Sequence, residues 1–163
     1  MSEFEAVYTE SKIPTQKKLK DVTVIFDSLH STPKYTDHGY PMIRVFDIRN
    51  GIIDLSSALL VSKEDHLNHN RKHRPIRGDI IISRVGTYLG YIGLVKDDRP
   101  FCLGQNTALI SPKISPKYLY YCLISPEVKK QIESSSVGST HKTLSIKAIN
   151  ELKIPFFSDI YNH

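Results

Sequence analysis

Arg84, Thr87, Tyr88, Gln105 and Asn106 fall within one stretch, Gly78 to Ile110, which reads GDIIISRVGTYLGYIGLVKDDRPFCLGQNTALI. A guanidinium, a hydroxyl, a phenol and two carboxamides are the donors and acceptors that match base edges, and Gln or Asn can pair bidentately with adenine in a major groove. Gln105 and Asn106 can as readily cap the local backbone, so both readings stand. No nucleophile stands beside a base in this stretch, which points to recognition rather than catalysis.

Two further groups could grip phosphate. Gly138-Ser139-Thr140-His141-Lys142 offers hydroxyls, backbone N–H groups and a cation on a small polar segment, although a plain linker has the same composition. Arg71, Lys72, Arg74 and Arg77 place four cations in seven residues with no acid among them, a phosphate-contacting patch or an ordinary solvated loop. His66, His69 and His73 have the spacing of one helix face and invite a zinc reading. They lack an HExxH pattern and a carboxylate at a ligand-like offset, so a solvated histidine-rich helix end is the simpler account and no metal site is assigned. No P-loop, dinucleotide fingerprint or G-x-S-x-G elbow occurs, and Gly86, Gly90 and Gly93 have the wrong spacing with no helix after them. No catalytic residue is assigned.

These residues need a scaffold. With 163 residues, 40% hydrophobic and 24% charged, the chain suits one globular domain with a real core rather than a disordered segment. A formal net charge of +5 favours a polyanionic partner. Cys102 and Cys122 are the only cysteines and read as two buried thiols in a reducing compartment. The opening residues have no signal-peptide pattern and no apolar run reaches transmembrane length, so a cytoplasmic location and no membrane partner are expected.

Residues 1–20 are polar and read as an arm. Val22–Phe26 is a β-branched strand, and residues 28–39 form a loop rich in Ser, Thr, Pro and Asp. Met42–Ile48 alternates as a strand, and Asn50-Gly51 before Ile52-Ile53 signals a hairpin. Ser62 with Asp65 is a capping box for a helix that ends by Arg74-Pro75. Strands are expected over Ile80–Val85, Leu89–Val95 and Cys102–Ile110. Ser115-Pro116, Ser125-Pro126 and Ser145 each start a helix, and Ile154-Pro155 closes the regular structure. Strands early and helices late predict an α+β domain with a mainly antiparallel, twisted sheet core and short helices.

Four segments in this order, LHSTPKYTDHGYPMIRVFDIRNGIIDLSSALLVSKEDH, RPIRGDIIISRVG, FCLGQNTALISPK and GSTHKTLSIKAINELKIPF, resemble the target-recognition domain of the specificity subunit of type I restriction–modification systems. The resemblance runs from about Lys20 to Phe156. It implies a DNA-methylase-specificity-domain-like fold, an arm at 1–20, a recognition domain at 21–156 and a tail at 157–163. It also implies a non-catalytic subunit that reads one half of a bipartite site in double-stranded DNA. S-adenosylmethionine and ATP with magnesium would then act on partner methyltransferase and restriction subunits, with no cofactor on this chain.

In the family, the stretch after Ile154-Pro155-Phe156 leads into a long spacer helix. Here the chain stops at His163, so a truncated product or fragment is expected, and docking of partner subunits would need spacer helices supplied elsewhere. The resemblance makes Ser31, Thr32, Lys34, Tyr35, Arg84, Thr87, Tyr88, Gln105, Asn106, Ser139, Thr140, His141 and Lys142 DNA-facing, with Arg84, Gln105 and Asn106 toward bases. Lys34, Arg71, Lys72, Lys142 and the loop hydroxyls would contact phosphate. Two rivals stand beside this reading: a regulatory or decoy half-subunit that binds partners or a second copy of itself, and a metal-dependent nuclease.

Overall fold

The computed structural model describes residues 14–49 and 51–157. In chain order, β1 (Thr15–Lys18) passes through one helical turn, α1 (Leu19–Val22), into β2 (Thr23–Asp27). Next come β3 (Tyr35–Thr36), β4 (Tyr40–Ile43), a 3-10 turn at Val45–Asp47, and the hairpin β5 (Ile48–Arg49) and β6 (Ile52–Ile53). After β7 (Leu59–Val61) and α2 (Lys63–His69) follow β8 (Ile80–Ser83), a 3-10 turn at Gly86–Tyr88, β9 (Ile92–Leu94), β10 (Cys102–Leu103) and β11 (Thr107–Pro112). The chain ends in α3 (Pro116–Leu123), α4 (Pro126–Ser135), α5 (Ile146–Asn150) and β12 (Lys153–Phe156).

Two four-stranded sheets carry the fold. One has the order β2-β11-β8-β9 and is antiparallel throughout; the other has the order β10-β4-β7-β3, with a single parallel pair, β10 with β4. The first sheet is buried on both faces, which explains why β8 reads as an unbroken Ile-Ile-Ile run rather than an alternation. Ile80, Ile82, Ala108 and Ile110 face the helical layer with Leu119, Leu123, Val128, Ile132 and Ile149. Ile81 and Leu109, paired in register, point the other way to Ile43, Ile48, Phe101 and Leu103. A strand's period of two thus sends neighbouring residues into two cores. Burying each Leu- or Ile-sized side chain contributes roughly 2 kcal/mol, which makes β8 and β11 the best anchored elements from which loops can project.

The α+β architecture and mainly antiparallel pairing agree with the sequence expectation, and the expected caps are present. Ser62, Ser115, Ser125 and Ser145 each accept a hydrogen bond from the backbone three residues on. The Ile48–Ile53 hairpin forms, and Gly51 takes φ +79° as its turn requires. Cys102 and Cys122 are buried and free; burial pushes the Cys102 thiol up to about 12.

Four elements differ from expectation. The strand expected over Leu89–Val95 shortens to Ile92–Leu94, because Leu89 N donates to Gly86 O and Tyr91 N to Tyr88 O in a turn. The strand expected over Met42–Ile48 breaks after Ile43, where Asp47 caps a 3-10 turn by accepting from Arg44 N at 2.9 Å. The single strand expected over Cys102–Ile110 is two strands in different sheets, because Asn106 turns through φ +67° between them. In residues 15–20, read as the end of an arm, Thr15–Lys18 instead pair with β12 and Leu19 lies wholly in the core, so Ile154-Pro155, expected to close the regular structure, does so from within the last strand. Residues 1–13 and 158–163, the rest of the expected arm and nearly all of the tail, lie outside the described residues.

Candidate nucleic-acid interface

The two sheets end together at one side of the molecule. There β8 stops at Ser83 and β11 starts at its register partner Thr107. The 104–106 turn crosses between the sheets and is pinned on both sides. Gly104 N donates to Ile43 O at 2.8 Å, Thr107 Oγ1 donates to Gly104 O at 2.8 Å, and Arg84 N donates to Asn106 O at 2.8 Å. A cleft of about 430 Å³ opens at this junction, with Met42, Val45 and Val85 among its apolar lining residues. Thr32, Tyr35, Thr87, Tyr88, Gln105, Asn106 and His141 also line it, so seven candidates from four distant segments converge there.

Each segment has its own anchor. Gln105, with its carboxamide oxygen toward the neighbouring loop, accepts from Ser31 N (3.2 Å), Thr32 N (3.1 Å) and Thr32 Oγ1 (3.0 Å). It therefore holds the Ser31–Tyr35 loop against the 104–106 turn. The His141 loop is closed by a two-way bridge between Val137 and Thr143, each N donating to the other's O at 2.9 Å. Gly86 N then donates to Lys142 O at 2.9 Å and Leu144 N to Arg84 O at 2.8 Å, which lays the loop along residues 84–86. Gly86 is needed for this contact: it sits at φ +61°, and a Cβ there would come within 3.0 Å of the His141 ring.

The side chains left over face outward. Asn106, Thr87, Ser139, Thr140, His141 and Lys142 are exposed, and none makes a side-chain hydrogen bond among the described residues. Lys34, Arg71 and Lys72 are also exposed and make no ion pair among those residues. Arg71 and Lys72 do not line the cleft. They sit beyond the end of α2, at a small hollow shared with Ser28 and Leu29, and His69 Nε2 lies 3.5 Å from Ser31 O across that loop.

Arg84 does not belong to the outward set. Its side chain is 15% exposed, with Nη1 donating to Asp27 Oδ1 at 2.5 Å and Nε to Leu144 O at 2.9 Å. The sequence placed it among the base-facing groups; instead it ties β2, β8 and the segment after the His141 loop together, and its donors are turned inward. The histidines do not converge either. His66 is buried and stacked on Tyr40 at 4.1 Å, His69 bonds to Asp65 O, and His73 meets Asp79 at 3.1 Å while stacking on Phe26.

Sequence reasoning missed Phe46 and Arg44. The expected alternation of 42–48 put Phe46 on the apolar side of a strand, yet it lies 48% exposed at the cleft wall, edge-on to Tyr88 at 5.2 Å. Arg44 lies with its guanidinium carbon 5.5 Å from the Phe46 ring centre and is held by Asp47 at 3.1 and 3.3 Å. The Asp three residues after Arg44 was the available signal for a tight turn.

Residues 15–156 match the family described as the type I restriction modification DNA specificity domain. The chain belongs to that family. It is 33% identical over 120 residues to the type I restriction enzyme EcoBI specificity subunit of Escherichia coli, an alignment covering 72% of this chain and 25% of that subunit. Two solved structures share the fold: the S subunit of a type I restriction–modification system from M. genitalium (TM-score 0.59, 19% identity) and the HsdS subunit from Thermoanaerobacter tengcongensis (TM-score 0.60, 18% identity). Each similarity covers 90% of this chain but only 35% and 34% of the respective subunit. The chain thus spans about a quarter to a third of the length of these relatives. No helix among the described residues is long and apolar enough to cross a membrane.

Proposed function

We propose that this domain reads a short sequence in double-stranded DNA, as one half of a bipartite target, through the cleft at the end of the two sheets. The observation that carries the reading is convergence: four segments far apart in the chain meet at one concavity with unpaired amide, hydroxyl and imidazole groups outward. A protein discriminates base pairs with such groups, and it positions itself by contacts to phosphate. Asn106 and Thr87 are the base-reading candidates at the cleft. Lys34, Arg71, Lys72, Ser139, Thr140 and Lys142 are the phosphate-contacting candidates on its flanks, with Ser31 and Thr32 held in place by Gln105. Arg84 acts by positioning β8 and the His141 loop.

On this reading the chain itself catalyses nothing and holds no cofactor. Methyl transfer from S-adenosylmethionine and ATP-driven cleavage belong to methyltransferase and restriction subunits of a type I assembly, which this domain would direct to the target. Selection from a random duplex library at low ionic strength tests the proposal. An enriched motif of a few base pairs is expected; recovery of an unenriched pool, or retention of no DNA, contradicts it.

A further inference from the structure

Phe46 is an exposed aromatic ring on an unusually well-held turn. Val45 and Asp47 on either side are buried, so the backbone cannot rotate to hide the ring. Asp47 O accepts from Asp54 N at 2.9 Å, Asp47 N donates to Arg44 O at 2.9 Å, and Arg49 Nε donates to Phe46 O at 3.2 Å. The ring is further fixed by the Tyr88 edge, and Tyr88 in turn meets Tyr91 edge-on at 5.5 Å. Arg44 and Tyr88 hold the ring in place but leave it 48% exposed, with apolar surface still facing water. Its place is a concave wall shared with Val45, Val85 and Met42, beside the free carboxamide of Asn106.

We infer that Phe46 and the apolar wall around it form a specificity contact for the 5-methyl group of thymine. The inference rests on the DNA-reading function proposed above. Of the groups a duplex presents in its major groove, the thymine methyl is the apolar one. Phosphate would seek Arg44 and His141 in the same lining, and the Arg44 guanidinium is already held by Asp47 at 3.1 and 3.3 Å, which leaves the Phe46 ring for an apolar group. The nearby carboxylates also permit approach of DNA, because Asp47 is neutralised by Arg44 and Asp27 by Arg84. Asn106, beside the same hollow, has a carboxamide suited to the adenine of the same or an adjacent A·T pair.

The test uses duplexes carrying the selected motif, with each thymine replaced in turn by deoxyuridine, which removes the methyl alone. Wild-type protein should lose affinity about fourfold at one position, the value expected for one buried methyl. Phe46→Ala should bind the thymine duplex more weakly and show no further loss with deoxyuridine there. Phe46→Leu should keep part of the discrimination, and Asn106→Gly should bind weakly yet keep the thymine-to-deoxyuridine ratio. A ratio that survives in Phe46→Ala, or a motif in which no thymine methyl matters, overturns the inference while leaving DNA reading intact. Failure to select any motif removes both.

Discussion

The cleft and the histidine-bearing helix α2 look alike in sequence and differ in the structure. Both supply several polar side chains in close order. On α2 and just after it each is turned to a partner within the fold: His69 to Asp65 O, His73 to Asp79, and His66 against the Tyr40 ring. At the cleft the backbone makes the local bonds, and the side chains of Asn106, Thr87 and His141 are left over. What sets the cleft apart is therefore that its polar groups converge and keep no side-chain hydrogen-bond partner among the described residues, not their density along the chain. Arg84 sharpens the point, because it sits in the cleft segment yet behaves like the histidines on and just after α2.

That contrast is open to direct attack. The largest effect is expected at Arg84. Arg84→Ala removes the guanidinium partner of the half-buried Asp27 carboxylate, leaving only His30 Nε2 at 2.9 Å among the described residues, and frees Leu144 O, and should lower stability by about 2–3 kcal/mol in urea unfolding. An unchanged midpoint would return Arg84 to the outward set. Next comes Asn106→Gly, chosen because glycine accepts the φ of +67° and so removes the carboxamide without straining the turn. Binding to the selected duplex should weaken by about 1–3 kcal/mol and one position of the motif should relax, with stability nearly unchanged. Third, Arg71→Ala with Lys72→Ala should weaken binding to all sequences alike and reduce the slope of log affinity against log salt by about two, one per lost phosphate contact.

The smallest effect concerns α2. Burial, with the charge of Arg74 second, holds the His66 imidazole below its ordinary range near pH 6.5. On acidification the unfolded chain takes up this proton first, so stability is full above the unfolded-state value and falls as pH drops below it, until the folded form also protonates. His66→Gln should flatten that part of the pH–stability profile and leave DNA binding alone.

Sequence patterns carried local structure well and long-range geometry poorly, for identifiable reasons. Serine caps, the Asn-Gly hairpin and the apolar β8 run depend on neighbours a few residues away, and each was legible. The fate of Arg84 depends on Asp27, 57 residues distant, so no local pattern distinguishes an inward guanidinium from an outward one. Thr15–Lys18 looked like an arm because its partner strand lies 141 residues on at Phe156. Phe46 was hidden by a false strand alternation, since a 3-10 turn of three residues leaves no period to detect. The candidate loops themselves were legible because strand ends and small polar segments bracket them. Their convergence on one cleft follows from the pairing of Ser83 with Thr107 and appears only in the fold.

Amide hydrogen exchange of the whole chain, with and without the selected duplex, tests the central claim most directly. The account predicts added protection confined to the Ser31–Tyr35 loop, residues 44–47, residues 71–72, residues 86–88, residues 104–106 and the His141 loop, with residues 116–135 unchanged. Protection concentrated on α3 and α4 with the cleft segments unaltered would place the DNA elsewhere and contradict it.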